Sequence, residues 1–225
     1  MDVSEAVVRR RSVRAFLPDP VPGEVVRALI EDARRAPSGG NLQPWRVHAL
    51  TGEPLAAFRA RIAAQLSETP RGEPPEYAVY PPELWEPYRS RRFAVGEAMY
   101  GALEIGRDNK LGRLAWFARN FDFFGAPVAL FVSVERRMGP PQWSDLGMYL
   151  QTLMLLAVER GLDTCAQEAW SMWPKTVGET LGLDADHMLF CGLALGRRDP
   201  DAPVNAFPVA REPFEAFAEM RGFAT

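Results

Sequence analysis

At 225 residues the chain is about one and a half times an ordinary domain of roughly 150 residues, which predicts one domain, or one domain with an arm. Hydrophobic residues are 47% and charged residues 24%, a globular composition that argues against a disordered chain. A net charge of -3 argues against a generally basic nucleic-acid binder, and no apolar run reaches the ~18 residues of a transmembrane helix.

Met1-Asp2-Val3-Ser4-Glu5 is charged and lacks the apolar core of a signal peptide. Val3 to Arg10 reads as a short helix. A second opens after Val21-Pro22-Gly23, with Val25, Val26, Leu29, Ile30 and Ala33 on one side. Pro37-Ser38-Gly39-Gly40-Asn41 ends it as a loop. Trp45 to Leu50 reads as a strand, Thr51-Gly52 as its turn, and Pro54 to Ser67 as a helix.

Thr69 to Pro87 is rich in proline and charge and reads as an irregular excursion. Phe93 to Leu103 and Asn109 to Arg119 read as helices, the second with apolar Leu111, Leu114, Ala115 and Ala118. Ala126 to Val134 is nearly continuous apolar text and predicts a central strand. Leu146 to Arg160 is a helix apolar almost all round, so a subunit interface is a natural second cover for it. Gly161 stops it, and Leu162 to Gln167 is strand and loop. Pro174 opens a helix that Gly182 caps, Met188 to Leu195 is a buried strand, and a last helix lies near Phe214 to Met220.

This order predicts an α+β fold or a three-layer α/β/α one. Cys165 and Cys191 make a disulfide scaffold improbable; free, buried thiols in a reducing cytoplasm fit better. There is no Gly-x-Gly-x-x-Gly after a strand, no phosphate loop and no Gly-x-Ser-x-Gly elbow.

Four stretches could carry chemistry. In Arg9-Arg10-Arg11-Ser12-Val13-Arg14, forked guanidiniums and a hydroxyl can surround a phosphate. Of the 26 basic residues 24 are arginine, since Lys110 and Lys175 are the only lysines, so a solvated arginine-rich helix end is an equal reading. The step from helix to extended chain near Ser12 would turn Arg10, Ser12 and Arg14 toward one locus. In Pro37 to Trp45, two glycines allow close backbone approach, and Ser38, Asn41 and Gln43 offer polar groups to a heterocycle. The same residues serve a plain connecting loop. Asp163 to Glu168 and Arg211-Glu212-Pro213 read, taken singly, as a connector and a surface arginine.

Taken together and in this order, these stretches resemble the FMN-dependent nitroreductase family, in its nitrobenzoate-reductase-like branch. The resemblance rests on Arg10-Arg11-Ser12-Val13-Arg14-Ala15-Phe16 and on Pro37-Ser38-Gly39-Gly40-Asn41-Leu42-Gln43-Pro44-Trp45. Asn120 to Pro127, Gly161 to Cys165, Gly192 to Gly196 and Arg211-Glu212-Pro213 extend it over nearly the whole chain.

The resemblance implies one nitroreductase-like domain over 1–225, with 69–117 as a helical excursion or lid. It implies a central mixed sheet flanked by helices, an intertwined homodimer, and FMN at the subunit interface. Arg10, Ser12 and Arg211 would hold the phosphate and ribityl chain, and Arg14 would face the pyrimidine edge. Arg11 occupies a position that varies across the family. Pro37, Ser38, Gly39, Asn41 and Gln43 would come from the other subunit. Gln167 and Glu168 lie where the family places a loop against the flavin ring. NAD(P)H would bind transiently, and a small aromatic acceptor would then take its place, with no catalytic side chain required. Tyr77, Tyr80, Trp85, Tyr88, Trp116 and Phe117 would wall the acceptor side or pack the arm onto its partner. Reductive dehalogenation, flavin breakdown and non-enzymatic flavin binding share the scaffold as alternatives; a nucleic-acid module or a membrane protein does not fit.

Overall fold

The computed structural model describes residues 1–223. Its elements are α1 (Val3–Arg9), α2 (Gly23–Ala33), β1 (Arg46–Thr51), α3 (Gly52–Glu68), α4 (Tyr88–Ala102) and α5 (Lys110–Ala118). They continue as β2 (Val128–Glu135), α6 (Pro140–Glu159), β3 (Asp163–Gln167), α7 (Pro174–Leu181) and β4 (His187–Gly196).

The four strands form one sheet in the order β1-β2-β4-β3. All three pairings are antiparallel, where a mixed sheet was expected. Among the described residues a parallel component survives only as the isolated bridge between Ser12 and Thr164, on the open edge of β3. β2 is buried from Val128 to Val134, as its apolar text requires of a strand covered on both faces.

Alternation along β2 sorts the core into two layers. Val128, Leu130, Val132 and Val134 face α2 and α6, meeting Leu29, Leu146, Tyr149 and Leu153. Ala129 and Phe131 face α3 and α7, meeting Leu55, Phe58, Ile62, Trp170 and Val177. The result is helix, sheet, helix. At the centre of the second layer Trp170 stacks on Phe123 with ring centroids 4.7 Å apart.

β4 breaks the alternation once. Val132 pairs with Cys191, but Ser133 pairs with Leu189, so Phe190 is an extra residue in the strand. The bulge leaves the Phe190 carbonyl outside the ladder, and the Tyr77 hydroxyl donates to it. Burial pushes the Tyr77 phenol up from its ordinary range. Tyr77 also meets the Trp143 ring edge-on at 5.0 Å. This bulge is where the 69–87 excursion touches the sheet.

Two helices start earlier than expected. α4 begins at Tyr88, five residues before the expected Phe93, and α6 begins at Pro140 rather than Leu146. Proline suits the first turn of α6, where its missing N–H has no partner to lose, and Gln142 reaches back to accept from the Gly139 N–H at 3.2 Å. Thr51-Gly52 is no turn, because α3 starts directly there. The expected helix near Phe214 to Met220 is only a 3-10 turn over Phe214–Ala216. Phe214 and Phe217 are exposed, so nothing in this chain rewards extending it.

α4 and α5 bury no residue of their own. Leu111 and Leu114, two of the apolar residues on α5, are 81% and 57% exposed. On α6, Met148 is exposed, and on α1 so are Val3, Val7 and Val8. Cys165 and Cys191 are free and buried. No helix among the described residues is long and apolar enough to cross a membrane.

Candidate active site

α1 ends at Arg9, and Arg10 is already extended, with ψ 125. The chain then runs along the edge of β3. The Val13 N–H donates to the Thr164 carbonyl at 2.9 Å. Asn205 clamps the same stretch with three bonds. Its Oδ1 accepts from the Arg14 N–H at 2.8 Å, and its Nδ2 donates to the Ala15 and Asp199 carbonyls at 2.8 and 2.9 Å. Asn205→Ala is expected to lower stability by about 2–3 kcal/mol, because it leaves buried backbone groups unpaired. Urea denaturation reads this, and a loss under about 0.5 kcal/mol would mean that water replaces the clamp.

Arg10, Arg11, Ser12, Arg14 and Arg211 line a cavity of about 470 Å³. The helix-to-extended step does bring Arg10, Ser12 and Arg14 to one locus, and the C-terminal tail adds Arg211. Among the described residues, Asp163 is the only carboxylate in the lining. It is held by Arg198, whose Nε donates to its Oδ2 at 2.8 Å. Arg11 donates to the Phe207 carbonyl at 2.7 Å. The remaining guanidiniums have no carboxylate to neutralise them within this cavity. Burial and the Arg211 charge together push the Arg10 guanidinium down from its ordinary value. Such a site is short of negative charge.

Arg14 also lines a second cavity, of about 790 Å³. Its floor is the end of β3, Cys165, Ala166 and Gln167, with Glu168 directly after it. Gln167 and Glu168 are therefore a strand end and the start of a 3-10 turn (Glu168–Met172), not the loop expected from the resemblance. Gln167 pairs with Gly192 in the ladder. Its Nε2 donates to the Asn120 carbonyl at 2.7 Å, and its buried Oε1 has no partner among the described residues. The Glu168 side chain opens toward the cavity, yet the surrounding protein still pushes its carboxyl up. Burial pushes the Cys191 thiol up to about 12, so it is inert at neutral pH.

Tyr80, Trp116 and Phe117 wall this cavity, together with Phe124. Phe123 and Phe124 have φ of 51 and 54, left-handed values that cost bulky residues about 1–2 kcal/mol each. Buried aromatic packing holds them there, and Phe124 is thereby turned to the cavity. Trp85 and Tyr88 lie outside it, edge-on to one another at 5.5 Å.

Pro37, Ser38, Gly39, Asn41 and Gln43 line neither cavity. They form a tight loop in which Gly40, Asn41 and Gln43 all have positive φ. The Ser38 Oγ accepts from the Gln43 N–H at 3.0 Å, and Asp145 on α6 accepts from the Gly39 N–H at 3.2 Å. Tyr77, expected to wall the acceptor side or pack the arm onto its partner, instead lies outside the aromatic-walled cavity, bonded to the Phe190 carbonyl. Asn205 and Asp145 are supporting residues that sequence reasoning missed. A lone polar residue carries no periodic signal of a partner far along the chain.

A cation-lined cavity and an aromatic-walled one, meeting at Arg14 beside the edge strand of a three-layer fold, suit a ligand with an anionic end and a planar end. The chain belongs to the nitroreductase family, whose model matches residues 7–197. It is 39% identical over 222 residues to a 4-nitrobenzoate reductase of Pseudomonas putida, covering 99% of this chain and 96% of that one. It is 35% identical over 215 residues to a nitrobenzene nitroreductase of Ectopseudomonas oleovorans, covering 96% and 95%. Among solved structures it is similar to the FMN and NADPH-dependent nitroreductase NfnB of sphigopyxis sp. strain HMH, with TM-score 0.96, 50% identity and coverage of 99% and 100%.

Proposed function

We propose that this protein is an FMN-dependent oxidoreductase that takes hydride from NAD(P)H and delivers it to a nitroaromatic or similar electron-poor acceptor. The observation that carries this reading is the pair of cavities meeting at Arg14, one cationic and the other walled by aromatic rings. FMN fits them by chemistry. Arg10 and Arg211 repel one another until an anion arrives, and the buried Gln167 Oε1 lacks a partner among the described residues.

When bound, FMN supplies a two-electron relay between donor and acceptor. Arg10, Ser12 and Arg211 hold the phosphate and ribityl end, with Arg11 beside them fixed by the Phe207 carbonyl. Arg14 places a positive charge where negative charge develops on reduction. Gln167, at the end of β3, and Glu168 after it would meet the ring end of the cofactor. The aromatic walls offer stacking surface to a planar acceptor, and no side-chain acid or base is needed.

The functional unit is a homodimer, in which Pro37, Ser38, Gly39, Asn41 and Gln43 of a second copy complete the site. Their absence from both cavities of one chain supports this. So do the exposed Val3, Val7 and Val8 on α1, which packs on α6, and the exposed Phe214, Phe217, Met220 and Phe223 of the tail. The chain acts as a single domain over 1–225, with 69–117 as the lid of the acceptor cavity, in the cytoplasm and without nucleic-acid or membrane partners.

One open face serving donor and acceptor in turn requires a ping-pong pattern. Initial rates with NADPH varied at several fixed 4-nitrobenzoate concentrations are expected to give parallel double-reciprocal lines. Converging lines would mean that both substrates bind together, against this reading.

A further inference from the structure

α4 carries three arginines, and two of them are neutralised. Arg89 pairs with Glu86 at 2.8 Å and Arg91 with Glu212 at 2.9 Å. Arg92 has neither an ion pair nor a side-chain hydrogen bond among the described residues. Its guanidinium lies over the Tyr80 ring, 4.3 Å from the centroid. Both residues line the cavity of about 790 Å³. An aromatic face steadies a guanidinium without supplying an oxygen acceptor, so the fork of N–H donors keeps its capacity for one.

The other charged groups of this cavity are Arg14 and Glu168. Arg14 sits where the two cavities meet and donates to the Ser12 carbonyl at 3.2 Å. Glu168 belongs to the floor, directly after β3. Arg92 is on the excursion, among the aromatic residues of the wall. The charge of that wall is thus positive and unspent, carried by an exposed guanidinium that an incoming anion can reach.

We propose that Arg92, steadied by Tyr80, is an anion-recognition residue of the acceptor cavity, and that the preferred acceptor is an aromatic carboxylate rather than a neutral aromatic. This rests on the oxidoreductase reading above. A phosphate of the nicotinamide donor has the same oxygen chemistry; the test below separates the two sources.

The FMN-loaded protein and its Arg92→Gln and Arg92→Lys variants are compared with 4-nitrobenzoate and nitrobenzene as acceptors. The ratio of kcat/KM for 4-nitrobenzoate to that for nitrobenzene is expected to fall about 10- to 100-fold in Arg92→Gln. The loss falls mainly on the KM of the anionic acceptor, and Arg92→Lys is intermediate. Independently of turnover, benzoate and benzamide are titrated against the oxidised holoprotein by tryptophan fluorescence, with Trp116 in the wall as reporter. Benzoate binding is expected to weaken about 10-fold or more in Arg92→Gln relative to benzamide binding. An unchanged acceptor ratio, a change confined to the KM for NADPH, or equal affinity of the unaltered protein for benzoate and benzamide would each overturn the proposal. If the unaltered protein reduced neither nitro compound, the oxidoreductase reading would fall, while the benzoate and benzamide titration would still decide whether Arg92 recognises a carboxylate.

Discussion

Gly192→Ala is expected to destabilise the protein by about 3 kcal/mol or more, although it adds one methyl group. Gly192 lies in β4, paired with Phe131 of β2 and Gln167 of β3. A Cβ there would stand 2.1 Å from Trp170 Cδ1 and 2.7 Å from its Nε1. Trp170 cannot retreat. It is fully buried, stacked on Phe123 and edge-on to Phe121 and Phe131, both with centroids 5.4 Å away. Relief therefore displaces either the aromatic layer or the sheet, and the sheet carries Gln167. Urea denaturation reads the loss, and Trp170→Leu in the same chain should recover part of it, because the clash has one partner. A loss below about 1 kcal/mol would mean that the aromatic layer is looser than its packing indicates.

Arg10→Gln is expected to weaken FMN binding about 10- to 100-fold, the weight of one charge-assisted bond to a phosphate. The same change should leave the FMN-free protein as stable as before, or slightly more so. Arg10 is half-buried and repelled by Arg211, so its charge is a burden until an anion is present. Opposite signs for cofactor affinity and apo stability separate a binding role from a structural one. Equilibrium dialysis gives the first, and melting with and without FMN gives the second. A matched loss of both would place Arg10 in the scaffold instead.

The layers of the fold were legible because their text is periodic or continuous. β2 reads as a doubly covered strand from its apolar run, and α2 reads as a helix from Val26, Leu29 and Ala33, which are buried. Boundaries were less legible where the first turn is polar or begins with proline, as in α4 and α6. The Phe190 bulge has no local signature: a strand with one extra residue has the same apolar letters, and only its partner shows the slip. The C-terminal helix failed for the opposite reason. Its apolar spacing is present, but this chain offers no surface for Phe214 and Phe217 to cover.

The candidate site divides in the same way. Arg10, Ser12 and Arg14 were legible because a helix end followed by extended chain fixes where three nearby residues meet. Arg92 was not, since every arginine in an arginine-rich chain looks alike until its neighbours are known. Its two companions on α4 are neutralised by Glu86 and Glu212, the second of them far along the chain. Pro37 to Gln43 can be read as a motif, yet the loop stands outside both cavities of one chain, so its place in a site depends on a second copy.

The central claim is a flavin shuttle held between Arg10 and the end of β3. Its most direct test is the absorbance spectrum of the purified protein, followed without oxygen as NADPH or NADH and then 4-nitrobenzoate are added. The account predicts a yellow protein that bleaches with the nicotinamide and regains its colour with the nitro compound. A colourless protein that takes up no added FMN, or a yellow one that neither nicotinamide bleaches, would contradict it.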